Sequence, residues 1–161
     1  MNKILTFLSL TISIVIFSQS KSFSQSKGDL FVGADSELAV GRIQDLGLSP
    51  VIGYQVTNNL QFGVNFVVNT TNNTSYDWYQ GYLKWYPTFV EKAINDNVRP
   101  FFKGSVGTST TDKYTNVGVS IGATGFLARW FYLEPSITYS YYNISGDINR
   151  LGVNVACGIR L

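Results

Sequence analysis

Between Leu60 and Asn69 the chain reads LQFGVNFVVN, so that Leu60, Phe62, Val64, Phe66 and Val68 alternate with Gln61, Gly63, Asn65 and Asn69. A period of two sends these sets to opposite sides of an extended backbone, which makes the stretch a two-faced β-strand. Only Val67 interrupts the rhythm. Thr57-Asn58-Asn59 before it is a tight-turn composition, and the residues ahead of that turn alternate in the same sense.

The alternation recurs to the C-terminus. It predicts eight strands, at about 29–40, 46–57, 60–69, 76–87, 99–109, 114–127, 131–142 and 149–161. An even-numbered meander of this kind can close, and the expected fold is all-β, an eight-stranded antiparallel up-and-down transmembrane β-barrel. No stretch shows a sustained helical period; a short helix at 89–94 is expected inside the connection 88–98. The connections after strands two and six are brief, and those after strands one, three, five and seven, including TTNNTS at 70–75, read as polar loops. With both termini in the periplasm the loops fall outside the cell, leaving 88–98 as one long periplasmic connection.

The N-terminus carries Lys3, a mostly apolar run at 4–17, and Ser22-Phe23-Ser24, a small-x-small pattern. This reads as a secretory signal peptide over residues 1–24, followed by one barrel domain over 25–161. Cleavage there leaves 161 − 24 = 137 residues and removes Lys3 and Lys21, so the formal charge falls from +2 to 12 − 2 − 10 = 0. With no basic cluster in the remainder, nucleic-acid binding is not expected. The single cysteine, Cys157, gives neither a disulfide framework nor a lipoprotein junction. Stability must then come from elsewhere, and closing a sheet in a bilayer supplies it.

Alternation alone fits a barrel with either face wet. Charge decides between them: the polar faces of all eight strands carry Asp35, Glu37, Lys84, Lys103, Glu134 and Arg160 among Gly, Ser, Thr, Asn and Gln. That is too little charge to solvate an exterior, but small polar residues suit the crowded interior of eight strands. The aromatics fall at strand ends, with Tyr54, Trp85, Tyr86, Trp130 and Phe131 at the periplasmic side and Tyr76, Trp78, Tyr79, Tyr139, Tyr141 and Tyr142 at the outer side. This predicts two interfacial girdles in outer-membrane lipid.

The segment GYLKWYP (Gly81–Pro87), a connection, and then RPFFKGSVG (Arg99–Gly107) resembles a segment of small outer-membrane β-barrel proteins of the Bacteroidota, of the OmpA/OmpX type. The closing LGVNVACGIRL resembles the final strand that the barrel-assembly machinery recognises during biogenesis, although such strands commonly end in an aromatic and this one ends in Leu161. The resemblance implies an outer-membrane location without a peptidoglycan-binding domain, and it brings no defined activity and no cofactor.

Ionised side chains in a narrow lumen must pair, and three acids, Asp35, Glu37 and Glu134, stand against three bases, Lys84, Lys103 and Arg160. The expectation is a plug of salt bridges that closes the barrel, with a narrow porin-like channel as the alternative. The chain contains no histidine, which removes Ser-His and Cys-His nucleophile activation and imidazole metal ligation, so neither an enzyme nor a metal site is expected; a lipid-modifying barrel enzyme with a Ser activated by Lys or by carboxylates is the lesser alternative. Cys157 lies on the apolar face of the last strand as a small apolar residue. An extracellular ligand, of unknown identity, would meet the loops carrying Arg42, Asp45, residues 70–75, Asp112, Lys113, Asp147 and Arg150.

Overall fold

The computed structural model describes residues 25–39, 47–71, 74–88, 97–109, 115–143 and 148–161. They form β1 (Leu30–Ala39), β2 (Gly47–Thr57), β3 (Leu60–Thr71), β4 (Thr74–Trp85), β5 (Val98–Ser109), β6 (Thr115–Phe126), β7 (Phe131–Tyr142) and β8 (Ile148–Arg160). Each strand pairs antiparallel with the next, and β8 returns to β1, closing the barrel. All eight predicted strands are present.

The ends differ where turn chemistry was over-read. β3 runs on to Thr71 and β4 begins at Thr74, pairing Thr70 with Ser75 and Thr71 with Thr74. The polar loop expected at 70–75 is therefore mostly ladder. β-branched threonine is a good strand residue, and only residues 72–73 are left between the two strands. The short helix expected at 89–94 lies outside the described residues.

The ladder registers fix the stagger of the cylinder. Lateral steps from Ala39 lead to Gly152, Thr138, Ser120, Lys103, Lys84, Gln61 and Gln55. The Gln55 N–H then donates to the Asp29 carbonyl, ten residues below the starting point on the first strand's line. Eight strands with that shear tilt by about 40° and give a backbone radius of about 8 Å, from a spacing of about 4.8 Å and a rise of about 3.3 Å. Side chains alone can fill such an interior.

Which side chains fill it follows from the pleat. The outer wall exposes Phe62, Val106, Val119, Ile121, Ile137 and Leu151, each more than half accessible. The inner wall buries Asp35, Lys84, Arg99 and Glu134 with many Gln, Asn, Ser and Thr side chains. This inverts the arrangement of a protein that folds around an apolar core in water.

Candidate functional site

At the end of the lumen where the termini lie, the inner wall turns aromatic. Phe31 packs edge-on against Tyr132 with ring centroids 5.4 Å apart and lies 6.4 Å from Phe126. Tyr86 meets Phe101 at 6.1 Å. Glycines make room for the larger rings. A Cβ at Gly53 would stand 2.5 Å from the Tyr82 hydroxyl, and one at Gly33 would stand 2.5 Å from the Tyr132 hydroxyl. Tyr82 and Tyr132 thus lie across the cylinder over residues that cannot be larger.

Above this tier sits the charge pair. Lys84 Nζ donates to Glu134 Oε1 at 2.8 Å and to Oε2 at 2.7 Å, and both side chains are more than nine-tenths buried. The ammonium also lies 4.7 Å from the Phe101 ring centroid and 5.5 Å from that of Tyr82, where ring quadrupoles attract a cation. Lys103 is the direct cross-strand neighbour of Lys84. Two adjacent ammonium groups repel, so each needs its own carboxylate, and Lys103 finds Asp35 at 3.6 Å. Arg160 pairs with Asp29 at 3.6 Å across the β1–β8 seam, its guanidinium 4.8 Å from the Phe126 ring centroid. Beyond these pairs the wall is lined by Ser105, Ser120, Ser136, Thr138, Asn65 and Asn154. Ser120 and Thr138 share a hydrogen bond of 2.9 Å.

Of the six charges singled out from the sequence, five point inward and form or join these pairs; the side chain of Glu37 lies outside the described residues. Asp29 and Arg99 were missed. Each is the first residue of a predicted strand and shares the parity of inward neighbours, Phe31 on one strand and Phe101 and Lys103 on the other, so reading the alternation back to the predicted strand starts would have found them.

Seven of the eleven named aromatics face outward, while Tyr142, paired with buried Asn116, has the inward parity of Ser140. Tyr54, Trp85, Trp130 and Phe131 lie toward the terminal end, and Tyr79, Tyr139 and Tyr141 toward the other. Trp85 stacks on Phe102 at 5.9 Å, and Trp130 meets Phe131 edge-on at 5.9 Å. Tyr86 is a correction: it is fully buried inside the barrel rather than at an interface. It follows Trp85 directly, and successive residues of an extended chain cannot both face outward. The side chains of Tyr76 and Trp78 lie outside the described residues, as do Arg42, Asp45, Asp112, Lys113 and Asp147. Cys157 is exposed on the outer wall.

The Tyr86 hydroxyl is a junction. It accepts from Gln25 Nε2 at 3.1 Å and lies 3.2 Å from Thr124 Oγ1 and 3.4 Å from Gln61 Oε1. Gln61 Oε1 is a carbonyl oxygen and can only accept, so the single phenol proton is shared between Gln61 and Thr124, whose own proton goes to Glu134. Arg99 in turn donates from Nη1 to Gln25 Oε1 at 3.0 Å, with its guanidinium 4.9 Å from the Tyr86 ring centroid.

Among the described residues no group of three His, Cys, Asp or Glu side chains is placed to hold a metal ion, and no helix is long and apolar enough to cross a membrane. No protein-family model matches the chain, and no curated protein sequence matches it. Among solved structures it is similar to the N-terminal β-barrel domain of Pseudomonas aeruginosa OprF, with a TM-score of 0.66 and 9% identity, covering 85% of this chain and 100% of that one. It is also similar to a structure from the de novo design of transmembrane β-barrels, with a TM-score of 0.55 and 14% identity, covering 86% and 99% of the two chains. At such identities the likeness is one of fold.

Proposed function

We propose that this chain is an integral outer-membrane β-barrel, exported by residues 1–24, that serves a structural or surface-interaction role and is closed to solutes. The observation that carries the reading is the inverted wall: large apolar side chains outside, paired charges and amides inside. An apolar belt this extensive needs a solvent of its own kind, and a closed barrel satisfies every ladder hydrogen bond within it. The outward aromatics at both ends suit the two lipid–water interfaces. The lumen network of Asp35, Lys84, Lys103, Glu134 and Arg160 acts as the plug.

The reading assigns no catalytic residue and no cofactor. Lipid is the main partner, and the barrel-assembly machinery handles β8 during biogenesis. Any extracellular ligand meets the end opposite the termini.

Fractionation tests the location. The protein should sediment with the outer membrane and migrate on SDS gels at a position that shifts on boiling, as a closed barrel resists SDS until heated. A soluble protein with unchanged migration would overturn the reading.

A further inference from the structure

The described chain begins with a segment that folds back across the barrel's terminal end. Gln25 is 3% exposed although it precedes β1. The Ser26 N–H donates to Asp29 Oδ2 at 2.8 Å, the Lys27 N–H to Asn58 Oδ1 at 3.2 Å, and the Gly28 N–H to the Gln55 carbonyl at 2.9 Å. Gly28 has φ of 99°, a left-handed conformation open to glycine without strain, and this reversal turns residues 25–27 back over the opening.

The seat that receives Gln25 is made by groups from three places: Arg99 at the start of β5, Tyr86 just after β4, and Asn59 in the β2–β3 turn. Asn59 Oδ1 accepts from Arg99 Nη2 at 3.4 Å. The seat offers one donor and one acceptor. Arg99 Nη1 supplies the donor, and the Tyr86 oxygen is the acceptor, because the Gln25 Nε2 that faces it can only donate. Hydrogen bonds therefore run one way from Arg99 to Gln25 to Tyr86, whose hydroxyl also meets Gln61 and Thr124, and Thr124 donates to the Glu134 carboxylate that Lys84 holds. The second member of that run must accept at one atom and donate at the next. A primary carboxamide does both; a carboxylate cannot donate, and an alkyl group does neither.

We propose that Arg99, Tyr86 and Asn59 form a carboxamide-binding seat in the terminal mouth of the barrel, which the chain fills with its own Gln25, so that residues 25–28 are a releasable stopper. Emptied of Gln25, the seat takes a free primary amide. The plug above it remains in place, and what changes on release is solvent access to the base of the lumen.

The experiment uses protein expressed from the full sequence, purified in detergent, with Gln25→Ala and Gln25→Glu beside the unaltered chain. Hydrogen exchange is read at the Tyr86 amide, which donates to the Asn59 carbonyl, and at the Phe126 amide, which donates to that of Asn97. Both variants should exchange there about tenfold faster, with exchange at mid-strand amides unchanged. Acetamide should restore slow exchange in Gln25→Ala, while N,N-dimethylacetamide, which has no N–H to give Tyr86, should not. Unchanged exchange in Gln25→Ala would overturn the stopper. Faster exchange insensitive to acetamide, or equally sensitive to both amides, would overturn the carboxamide seat. Should Gln25→Ala fail to shift on heated gels, Gln25→Met, which keeps the volume and loses both polar atoms, takes its place with the same readings.

Discussion

At the scale of single residues, the buried pair Lys84–Glu134 is held by more than attraction. Each partner has been taken out of water, a cost that charge pairing alone repays poorly. The surroundings repay the rest: Thr124 donates to the carboxylate, and the Phe101 and Tyr82 rings face the ammonium. Removing both partners should therefore cost less than the two single removals added together. Glu134→Gln, which leaves Lys84 charged beside Lys103, is expected to destabilise the barrel by about 3–5 kcal/mol, and Lys84→Met with Glu134→Gln together by less than the sum of the two single changes. Denaturant unfolding from lipid vesicles gives the cycle; additive effects would mean that the two side chains do not sense each other. The sequence disclosed which residues face inward, because parity is local. It could not disclose that Lys84 pairs with Glu134 rather than Asp35, since β4 and β7 meet only across the lumen and their relative height depends on the shear of the whole cylinder.

At the scale of strands, the two faces make opposite demands, and β3 carries both. Val64 and Gly63 are sequence neighbours pointing in opposite directions. Val64→Arg puts a guanidinium on the outer wall and should cost about 2–4 kcal/mol if that wall meets the middle of a bilayer. A negligible cost in vesicles would mean that this face is wet. Gly63→Ala tests the inner face: its Cβ would collide with the Tyr82 ring and the Ile52 carbonyl. Overpacking of this kind costs about 1–3 kcal/mol, and Tyr82→Leu should recover part of it by removing the ring. Failure of that rescue would place the strain on the Ile52 carbonyl alone. Strands were the most legible level of the sequence, since a two-residue period survives any context that keeps one face wet. Their ends were less legible, as at Thr70 and Thr71, where a polar but β-branched pair serves equally in a turn or a ladder. Tyr86 was misplaced for a related reason: composition puts aromatics at interfaces, whereas parity, the stronger constraint, put this one inside.

At the scale of the molecule, closure decides what the barrel can pass. A backbone radius of about 8 Å leaves little bore once side chains turn inward. Here the terminal half of that space holds Phe31, Tyr86, Phe101, Phe126 and Tyr132, and the tier above it holds the Lys84–Glu134 and Lys103–Asp35 pairs. Under the proposed closed reading, two tiers of different chemistry in series back each other up. Weakening the ionic tier leaves the aromatic one, and trimming one ring leaves its neighbours and the salt bridges. The unaltered protein in a planar bilayer should therefore show no steady unitary conductance, and neither Lys84→Met nor Phe101→Ala alone should create one. A narrow channel makes the contrary forecast: steady openings in the unaltered protein, with ion selectivity that changes when Lys84 or Glu134 is neutralised. Such openings would show that the charges line a path rather than block it.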